Sequence, residues 1–202
     1  VSALEPPLPE LDAAAAAAEP LRTVVDIDDE AFFAPGDMTV RIDAAADATG
    51  LPVVVENDAN AAGWAEARFG AGAGKANVLV VTLGTGVGGA VIIDGRLVRG
   101  AAGFAAEIGH INVEPDGRPC GCGQRGCLER YSAGTALGVN AWELAQFRPG
   151  YAARIIELSG GDPEHISGKA VTAAAREGDP AALECYEQLT HWLGVGLADM
   201  CA

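Results

Sequence analysis

The sequence contains almost no lysine: Lys75 and Lys169 are the only two in 202 residues. Acidic residues outnumber basic residues by 28 to 13, which gives a formal net charge of −15 at pH 7. Nucleic-acid phosphates require a basic protein surface for binding. The charge balance therefore argues against nucleic acid as the main partner.

Long hydrophobic runs are also missing. No window reaches the roughly 18 consecutive apolar residues that indicate a membrane span. The N-terminus has no basic region followed by an apolar run, so it does not resemble a secretory signal. Half of the residues are nevertheless hydrophobic, enough for a chain of 202 residues to fold around a core. We therefore predict a cytoplasmic protein without a membrane partner.

Cysteines are few, five in all, but Cys120, Cys122 and Cys127 lie within eight positions. In a reducing compartment, clustered cysteines indicate metal binding before a disulfide. Structural zinc takes four nitrogen or sulfur ligands, and three cysteines with one histidine are a common set. His110, ten residues before Cys120, is the only histidine nearby. These four residues predict a zinc site, with three reduced cysteines in a tight loop as the alternative.

Local patterns predict strands in the first half of the chain and helices in the second. LPVVVEND predicts a buried strand, and DANAAGWAEARF a helix that ends at Gly70. NVLVVTLGTGVGGAVIIDGRLVRG predicts three strands joined by a glycine turn and an Asp94-Gly95 hairpin, and EIGHINV a further strand. Helices are expected beyond Ser132, with Ser167 and Asp179 as N-caps.

Asp58 lies where the predicted strand ends and the helix begins. One interpretation is the N-cap of that helix, because a carboxylate accepts backbone N–H bonds there. The other is a general base, which typically contributes about 10²–10⁴-fold in rate. The spacing does not separate the two. Asn57, Glu107 and Glu129 are polar residues beside glycines or turns, and each alone is typical of a solvated side chain.

The segment TLGTGVGGA combines Gly84, Gly86, Gly88 and Gly89 with Thr85 between two apolar strands. Glycines let the backbone approach a ligand closely and direct N–H groups at an anion. The segment matches neither a Walker A loop nor a Rossmann fingerprint, because no Lys-Ser/Thr pair and no helix follow it. It predicts either a phosphate-binding turn or an ordinary glycine-rich β-turn.

Four motifs, taken in chain order, resemble one family. The ROK family of bacterial sugar kinases and repressors has motifs similar to ENDANAA, LGTGVGGA, AAEIGH and GRPCGCGQRGCLE. Within that family, these segments most resemble the motifs of the glucokinases. The resemblance covers about residues 51–144 and continues more loosely through GDPAALECYEQLTHWLGVGLADM. It implies an α/β fold of the actin-like, hexokinase-like ATPase class, with ribonuclease H-like lobes and a zinc-binding loop.

The resemblance also implies roles for single residues. Asp58 is implied as the base that faces the 6-hydroxyl of a hexose, with Asn57 bonding neighbouring hydroxyls. The implied phosphoryl donor is ATP with Mg²⁺, on a turn formed by Gly84, Thr85, Gly86, Gly88 and Gly89. Further sugar ligands are implied at Glu107, His110 and Glu129. Structural Zn²⁺ is implied at His110, Cys120, Cys122 and Cys127.

Two family motifs are not found in the sequence. The first phosphate loop, an Asp-x-Gly-x-Thr-Lys-like motif, is absent from residues 1–50, and no adenosine motif, a glycine pair after an apolar strand, precedes Ala202. We therefore expect a partial chain, inactive alone, from an enzyme that is a homo-oligomer (dimer or tetramer) when intact. Residues 1–56 are predicted to be a remnant of the N-terminal α/β lobe, and residues 57–202 the larger C-terminal lobe.

The resemblance leaves three functions open. The first is ATP-dependent phosphorylation of glucose to glucose 6-phosphate. The second is a sugar-sensing transcriptional repressor of the ROK type, which would carry a winged helix-turn-helix upstream; residues 1–50 show no basic helical pair. The third is a kinase for another hexose, such as N-acetylmannosamine or fructose, or one that uses polyphosphate. Retention of the base in ENDANAA favours a kinase, because a sensor does not need one.

Overall fold

The structure of the chain is a computed structural model that describes residues 46–51, 56–101 and 103–201. The chain divides into two units, Val1–Val55 and Glu56–Ala202. The sheet that carries the glycine turn lies in the second unit. The assignment of either part to a lobe stays a prediction. The predicted strand in LPVVVEND lies largely outside the described residues.

An antiparallel sheet and one helix form the first half of the unit. Strand β1 (Val78–Leu83) pairs with β2 (Val87–Ile93), which pairs with β3 (Arg96–Leu97). The predicted glycine turn and Asp94-Gly95 hairpin are confirmed by this register. Helix α1 (Asp58–Phe69) packs on the sheet around buried Ala67, Ala90 and Ile92. Gly63 makes the close packing possible, because a Cβ there would overlap the Cβ of Ala90.

The strand predicted for EIGHINV is wrong. Ile108–His110 form a short 3₁₀ helix instead, with the His110 N–H donating to the Glu107 carbonyl at 3.0 Å. The physical reason is packing on β2: the Gly109 Cα lies so close to the Val87 carbonyl that no side chain fits. Local bonds such as that from the Ile111 N–H to the Ile108 carbonyl, 3.3 Å long, use backbone groups that a strand would pair with a neighbour, and Asn112 forms an isolated β-bridge with Cys127.

The second half of the unit is helical, as predicted. Its helices are α2 (Glu129–Ser132), α3 (Gly134–Phe147), α4 (Ala153–Leu158), α5 (Gly168–Arg176) and α6 (Pro180–Cys201). The predicted N-caps are confirmed: Ser167 Oγ accepts the Ala170 N–H, and Asp179 Oδ1 accepts the Ala182 N–H. Helices α3 to α6 share one core that includes the fully buried Ile155, Val171 and Cys185. In the part of the chain that the structure describes, no helix combines the length and apolarity that a membrane span requires.

Two helical glycines give a matched test of this packing. We expect Gly63→Ala to destabilise the unit by about 1–3 kcal/mol, because the new methyl group overpacks the contact with Ala90. Gly194→Ala, inside α6 with open space around it, should instead stabilise the unit by about 0.5–1 kcal/mol through helix propensity. Urea unfolding of the two variants and the unchanged chain measures both effects. Equal stabilisation by both substitutions would show that the α1–β2 contact is looser than described.

Candidate functional site

The start of α1 separates the two interpretations of Asp58. Asn57 is the N-cap: its side chain accepts the Asn60 N–H at 3.0 Å. Asp58 is the first helical residue and is exposed, and among the described residues its Oδ1 accepts a single hydrogen bond, from the N–H of the adjacent Ala59 at 2.8 Å. The N-cap interpretation of Asp58 is therefore wrong. Its carboxylate remains available to a ligand.

Glu56, just before this cap, anchors the helix start to the loop after β3. Its Oε2 accepts the Arg99 Nε–H at 2.7 Å, and its Oε1 accepts Asn60 Nδ2 at 3.1 Å. Burial raises the pKa of Glu56, but hydrogen bonds from Arg99 and Asn60 outweigh it and hold that pKa below its ordinary value. The charged Glu56 therefore holds the start of α1, which carries Asp58, against the loop after β3, which leads toward Glu107.

The glycine turn is shorter than the predicted phosphate-binding segment. Gly84, Thr85 and Gly86 form the turn, whereas Gly88 and Gly89 lie inside β2, opposite Thr82 and Val81. Gly88 faces the start of α1, with its would-be Cβ 2.9 Å from the Ala59 Cβ. Gly89 faces the side chain of Ile108 in the same way. These two glycines therefore have a packing role, and anion binding stays a prediction for the turn.

The turn also contacts the start of α3. The Gly134 N–H donates to the Gly84 carbonyl at 2.8 Å, and the Thr135 hydroxyl donates to the Thr85 carbonyl at 2.9 Å. On its other side, a Cβ on Gly86 would lie 2.9 Å from Oε2 of Glu129. The turn is thus held between α2 and α3, and its position depends on both.

The four predicted metal ligands come together. The ligand atoms of His110, Cys120, Cys122 and Cys127 all lie within 4.8 Å of one another. His110 Nδ1 is 3.6 Å from Cys120 Sγ, and the sulfurs of Cys122 and Cys127 are also 3.6 Å apart. Two sulfurs bound to one tetrahedral zinc at 2.3 Å would be about 3.8 Å apart. The donor set and its spacing therefore fit a metal ion of the zinc type.

Backbone hydrogen bonds shape the loop that carries the thiols. The Cys120 N–H donates to the Gln124 carbonyl at 2.9 Å, and the Gly123 N–H donates back to the Cys120 carbonyl at 3.1 Å. Gly126 has φ +74°, and a Cβ there would overlap the Glu114 carbonyl oxygen. Only glycine fits at this position, so the tight return to Cys127 depends on it.

Glu129 joins the thiol cluster to the glycine turn. Its Oε1 accepts the Cys120 thiol at 3.1 Å and lies 3.8 Å from His110 Nδ1. Its Oε2 is the atom that faces Gly86. Glu107 lies at the start of the 3₁₀ helix that carries His110, with an exposed side chain. The structure thus brings Glu129 into the cluster and places Glu107 three residues from His110 along the same segment.

The three thiols differ in acidity. Burial raises the pKa of Cys127 to about 12, and burial also raises the pKa of Cys120. A hydrogen bond from the Gln124 backbone N–H lowers the pKa of exposed Cys122. Without a bound cation, the cluster therefore holds protonated thiols at Cys120 and Cys127 at neutral pH. A metal ion would have to displace these protons.

A cavity of about 990 Å³ opens beside the glycine turn. It lies between the turn and helices α3 and α5, and its lining includes Gly84, Thr85, Trp142, Lys169 and Arg176. The two cations are notable in a chain of net charge −15. Sequence reasoning missed this cavity, because its walls come from segments far apart in the chain. The sequence holds one hint of it: lysine is scarce, and Lys169, one of only two lysines in the chain, lines this cavity.

Comparison with known proteins places this geometry in context. Residues 40–202 match the ROK family. A glucokinase of Streptomyces coelicolor is 52% identical over 151 residues, which are 75% of this chain and 48% of that protein. The chain thus spans about half the length of the curated relatives it matches.

Solved structures show the same likeness. A ROK family glucokinase from Streptomyces griseus, in complex with glucose and AMPPNP, is 51% identical with a TM-score of 0.71, covering 78% of this chain and 51% of that one. A ROK family transcriptional regulator is 34% identical with a TM-score of 0.56, covering 77% and 38%. The resemblance read from the motifs is confirmed, and so is the hexokinase-like, actin-like α/β fold class.

The order of thiol reactivity follows from this geometry. In the metal-free chain at pH 8, we expect iodoacetamide to modify Cys122 at least about tenfold faster than Cys127, because thiolates react and thiols do not. Cys122 is exposed with a lowered pKa, whereas Cys127 is buried with a pKa of about 12. Peptide mass mapping over time gives the rates.

Two cysteines outside the cluster serve as internal references. Exposed Cys201 reports the rate of an ordinary accessible thiol, and buried Cys185, with its pKa raised by burial to about 11, reports a slow one. If Cys127 reacted as fast as Cys122, the described burial of the cluster would be wrong.

Proposed function

The chain belongs to the ROK family, and on that premise we propose that the full-length protein is an ATP-dependent hexose kinase that converts glucose to glucose 6-phosphate. One observation carries the proposal: 52% identity to a glucokinase over 75% of the chain. It is supported by the likeness to a glucokinase structure in complex with glucose and AMPPNP. The chemistry of the candidate site is compatible with this reaction.

Asp58 acts as the general base in this proposal. A sugar hydroxyl has a pKa far above 7, so its attack on a γ-phosphate benefits from a carboxylate placed to take its proton. Asp58 is exposed at the start of α1, and Asn57 performs the capping that would otherwise occupy it. Within the described residues, Asp58 Oδ2 has no hydrogen-bond partner, so it is the atom that would receive the proton.

Sugar recognition is assigned to Asn57, Glu107, His110 and Glu129. A sugar offers hydroxyl groups, which need rigidly held acceptors and donors. Glu129 lies beside the cluster, with its Oε1 3.1 Å from Cys120 Sγ. His110 directs Nδ1 at the thiols. The other ring nitrogen, Nε2, is then the atom that can donate to a sugar hydroxyl.

The donor nucleotide is assigned to the Gly84–Gly86 turn and the adjoining cavity. Backbone N–H groups of a glycine turn stabilise phosphate oxygens, and Lys169 and Arg176 supply positive charge to the same cavity. Mg²⁺, when bound with ATP, supplies charge neutralisation for the transferred phosphoryl group. The residues of this chain position the donor and the acceptor hydroxyl on either side of the turn.

Zinc is assigned to His110, Cys120, Cys122 and Cys127. A Cys₃His set at the distances found here fits a structural zinc site, and such an ion supplies rigidity rather than proton transfer. Its place in the function would be to fix His110 and the loop before Glu129. We further propose a cytoplasmic location, because the three thiols must stay reduced to bind a metal. A homo-oligomeric state also remains part of the proposal.

Removal of the base is the direct test of the mechanism. We expect Asp58→Asn in the full-length protein to lower kcat by about 10²–10⁴-fold, because the amide cannot accept the hydroxyl proton. Glucose binding should remain within a few fold, since the shape of the side chain is kept. Asp94→Asn, the same change on the exposed β2–β3 hairpin, is the matched control. Near-normal kcat in Asp58→Asn would remove Asp58 from the mechanism.

Metal content tests the zinc assignment separately from catalysis. Purified chain never exposed to a chelator should hold about one zinc per molecule by elemental analysis, and Cys127→Ser should lose it. Cys201→Ser, an exposed cysteine outside the cluster, should keep it. Because the pKa values of Cys120 and Cys127 are raised, protons compete with the ion, so zinc affinity should rise between pH 6 and pH 8. Zinc near zero in the unchanged chain would contradict the assignment.

A sugar-sensing repressor is the second candidate, favoured by the 34% identity to a ROK family transcriptional regulator. Such a protein would bind its sugar through the same residues and would not need the base. The full-length protein distinguishes the two: a kinase turns over ATP and sugar, and a repressor binds DNA in a sugar-dependent manner. A coupled assay across glucose, N-acetylmannosamine and fructose, with ATP or polyphosphate, identifies the substrate and donor.

A further inference from the structure

Arg118 lies two residues before Cys120. It connects the loop that carries the three thiols, residues 118–127 and called the metal loop here, to helices α2 and α3. Its Nη1 donates to the Arg130 carbonyl and to Asn140 Oδ1, both at 2.9 Å. Its Nη2 donates to Glu143 Oε2 at 2.7 Å. Its guanidinium carbon lies 4.9 Å from the centre of the Tyr131 ring. One side chain thus contacts residues of both α2 and α3.

Most of these contacts are shielded from solvent, whereas the Glu143 side chain is 46% exposed. The Arg118 side chain is 19% exposed, and Asn140 is 4% exposed. A buried amide oxygen needs a hydrogen-bond donor, and a half-buried guanidinium needs acceptors, so each satisfies the other. The Arg118 backbone takes part as well, because its N–H donates to the Tyr131 hydroxyl at 2.6 Å. Both the backbone and the side chain are therefore fixed.

Arg118 also holds the two arms of the metal loop together. Its carbonyl accepts the Gly126 N–H at 2.9 Å, and the next residue, Pro119, forms a bridge with Arg125. One arm ends at Pro119 and is followed by Cys120, and the other ends at Gly126 and is followed by Cys127. The position of Arg118 therefore sets the separation of these two thiols, and α3 sets the position of Arg118.

We propose that Arg118 is a positioning residue for the metal centre: it holds the loop in its ligand-binding geometry through α2 and α3. The proposal rests on the zinc site proposed above. A loop that is ordered before the ion arrives loses less conformational entropy on binding, so the affinity for the ion is higher. Loss of the Arg118 contacts frees the Cys120 arm and lowers that affinity.

Arg154, in α4, provides a control outside the metal loop. It also makes several charge-assisted hydrogen bonds, to both oxygens of Glu177 and to Glu157, but none to the metal loop. Truncation of either arginine removes a multiply bonded guanidinium. Only truncation of Arg118 is expected to affect the metal centre, which separates positioning from a general loss of stability.

The test is cobalt and zinc binding by the full 202-residue chain, titrated in competition with a chromophoric chelator. We expect Arg118→Ala to weaken binding by about 10–100-fold, the range found when groups that orient metal ligands are removed. Arg118→Lys keeps the charge but not the planar fork, so it should recover part of that loss. Arg154→Ala should stay within about twofold of the unchanged chain. The Co²⁺ absorption bands should also shift in Arg118→Ala.

Each outcome is decisive. Equal affinities in Arg118→Ala and the unchanged chain overturn the proposal, and so does an equal loss in Arg154→Ala. If Arg118→Ala does not fold, Glu143→Gln is the deciding variant. It removes one charged acceptor of Arg118 and should weaken metal binding several-fold. An unchanged affinity in Glu143→Gln overturns the proposal. If the unchanged chain binds neither ion, the zinc site itself is wrong, which is a different result from the failure of Arg118.

Discussion

The hydrogen bond from the Gly134 N–H to the Gly84 carbonyl, 2.8 Å long, joins the sheet to the helices at the turn between β1 and β2. It requires glycine at position 134, because a Cβ there would lie 2.8 Å from that carbonyl oxygen, whereas Gly84 has open space around it. Gly168, at the start of α5, must also be glycine, because a Cβ there would overlap the Gly134 carbonyl. A stack of small residues therefore brings α3 and α5 against the turn. All three glycines line the cavity beside the turn.

The metal loop depends on this framework rather than on a hydrophobic core of its own. Its interior is made of backbone hydrogen bonds and thiols, and buried Leu128 next to it packs with Val87 and Ile108. Arg118 adds polar contacts to α3. The loop is thus attached to its surroundings by both apolar and polar contacts.

Sequence reasoning succeeded where the governing contacts are local. The Asp94-Gly95 hairpin, the caps at Ser167 and Asp179, and the convergence of one histidine with three cysteines follow from residue types and spacing. It failed where distant backbones meet: at the 3₁₀ helix Ile108–His110, Gly109 lies against the Val87 carbonyl. It also missed the contacts of Arg118, whose side-chain partners lie 12 to 25 residues away. Nothing in the local pattern distinguishes that arginine from a solvated one.

Glu129 is the point at which these constraints meet. Its Oε1 accepts a hydrogen bond from the Cys120 thiol, whose pKa is raised by burial, so in the metal-free cluster that oxygen already has one donor. A Cys120 that ligates a metal is a thiolate and has no proton to donate, which leaves the same oxygen free for another donor. Oε2 meanwhile lies beside Gly86, where a side chain would come within 2.9 Å of it. In the metal-free cluster, the residue assigned to the sugar is thus oriented by the Cys120 thiol and packed beside the glycine turn.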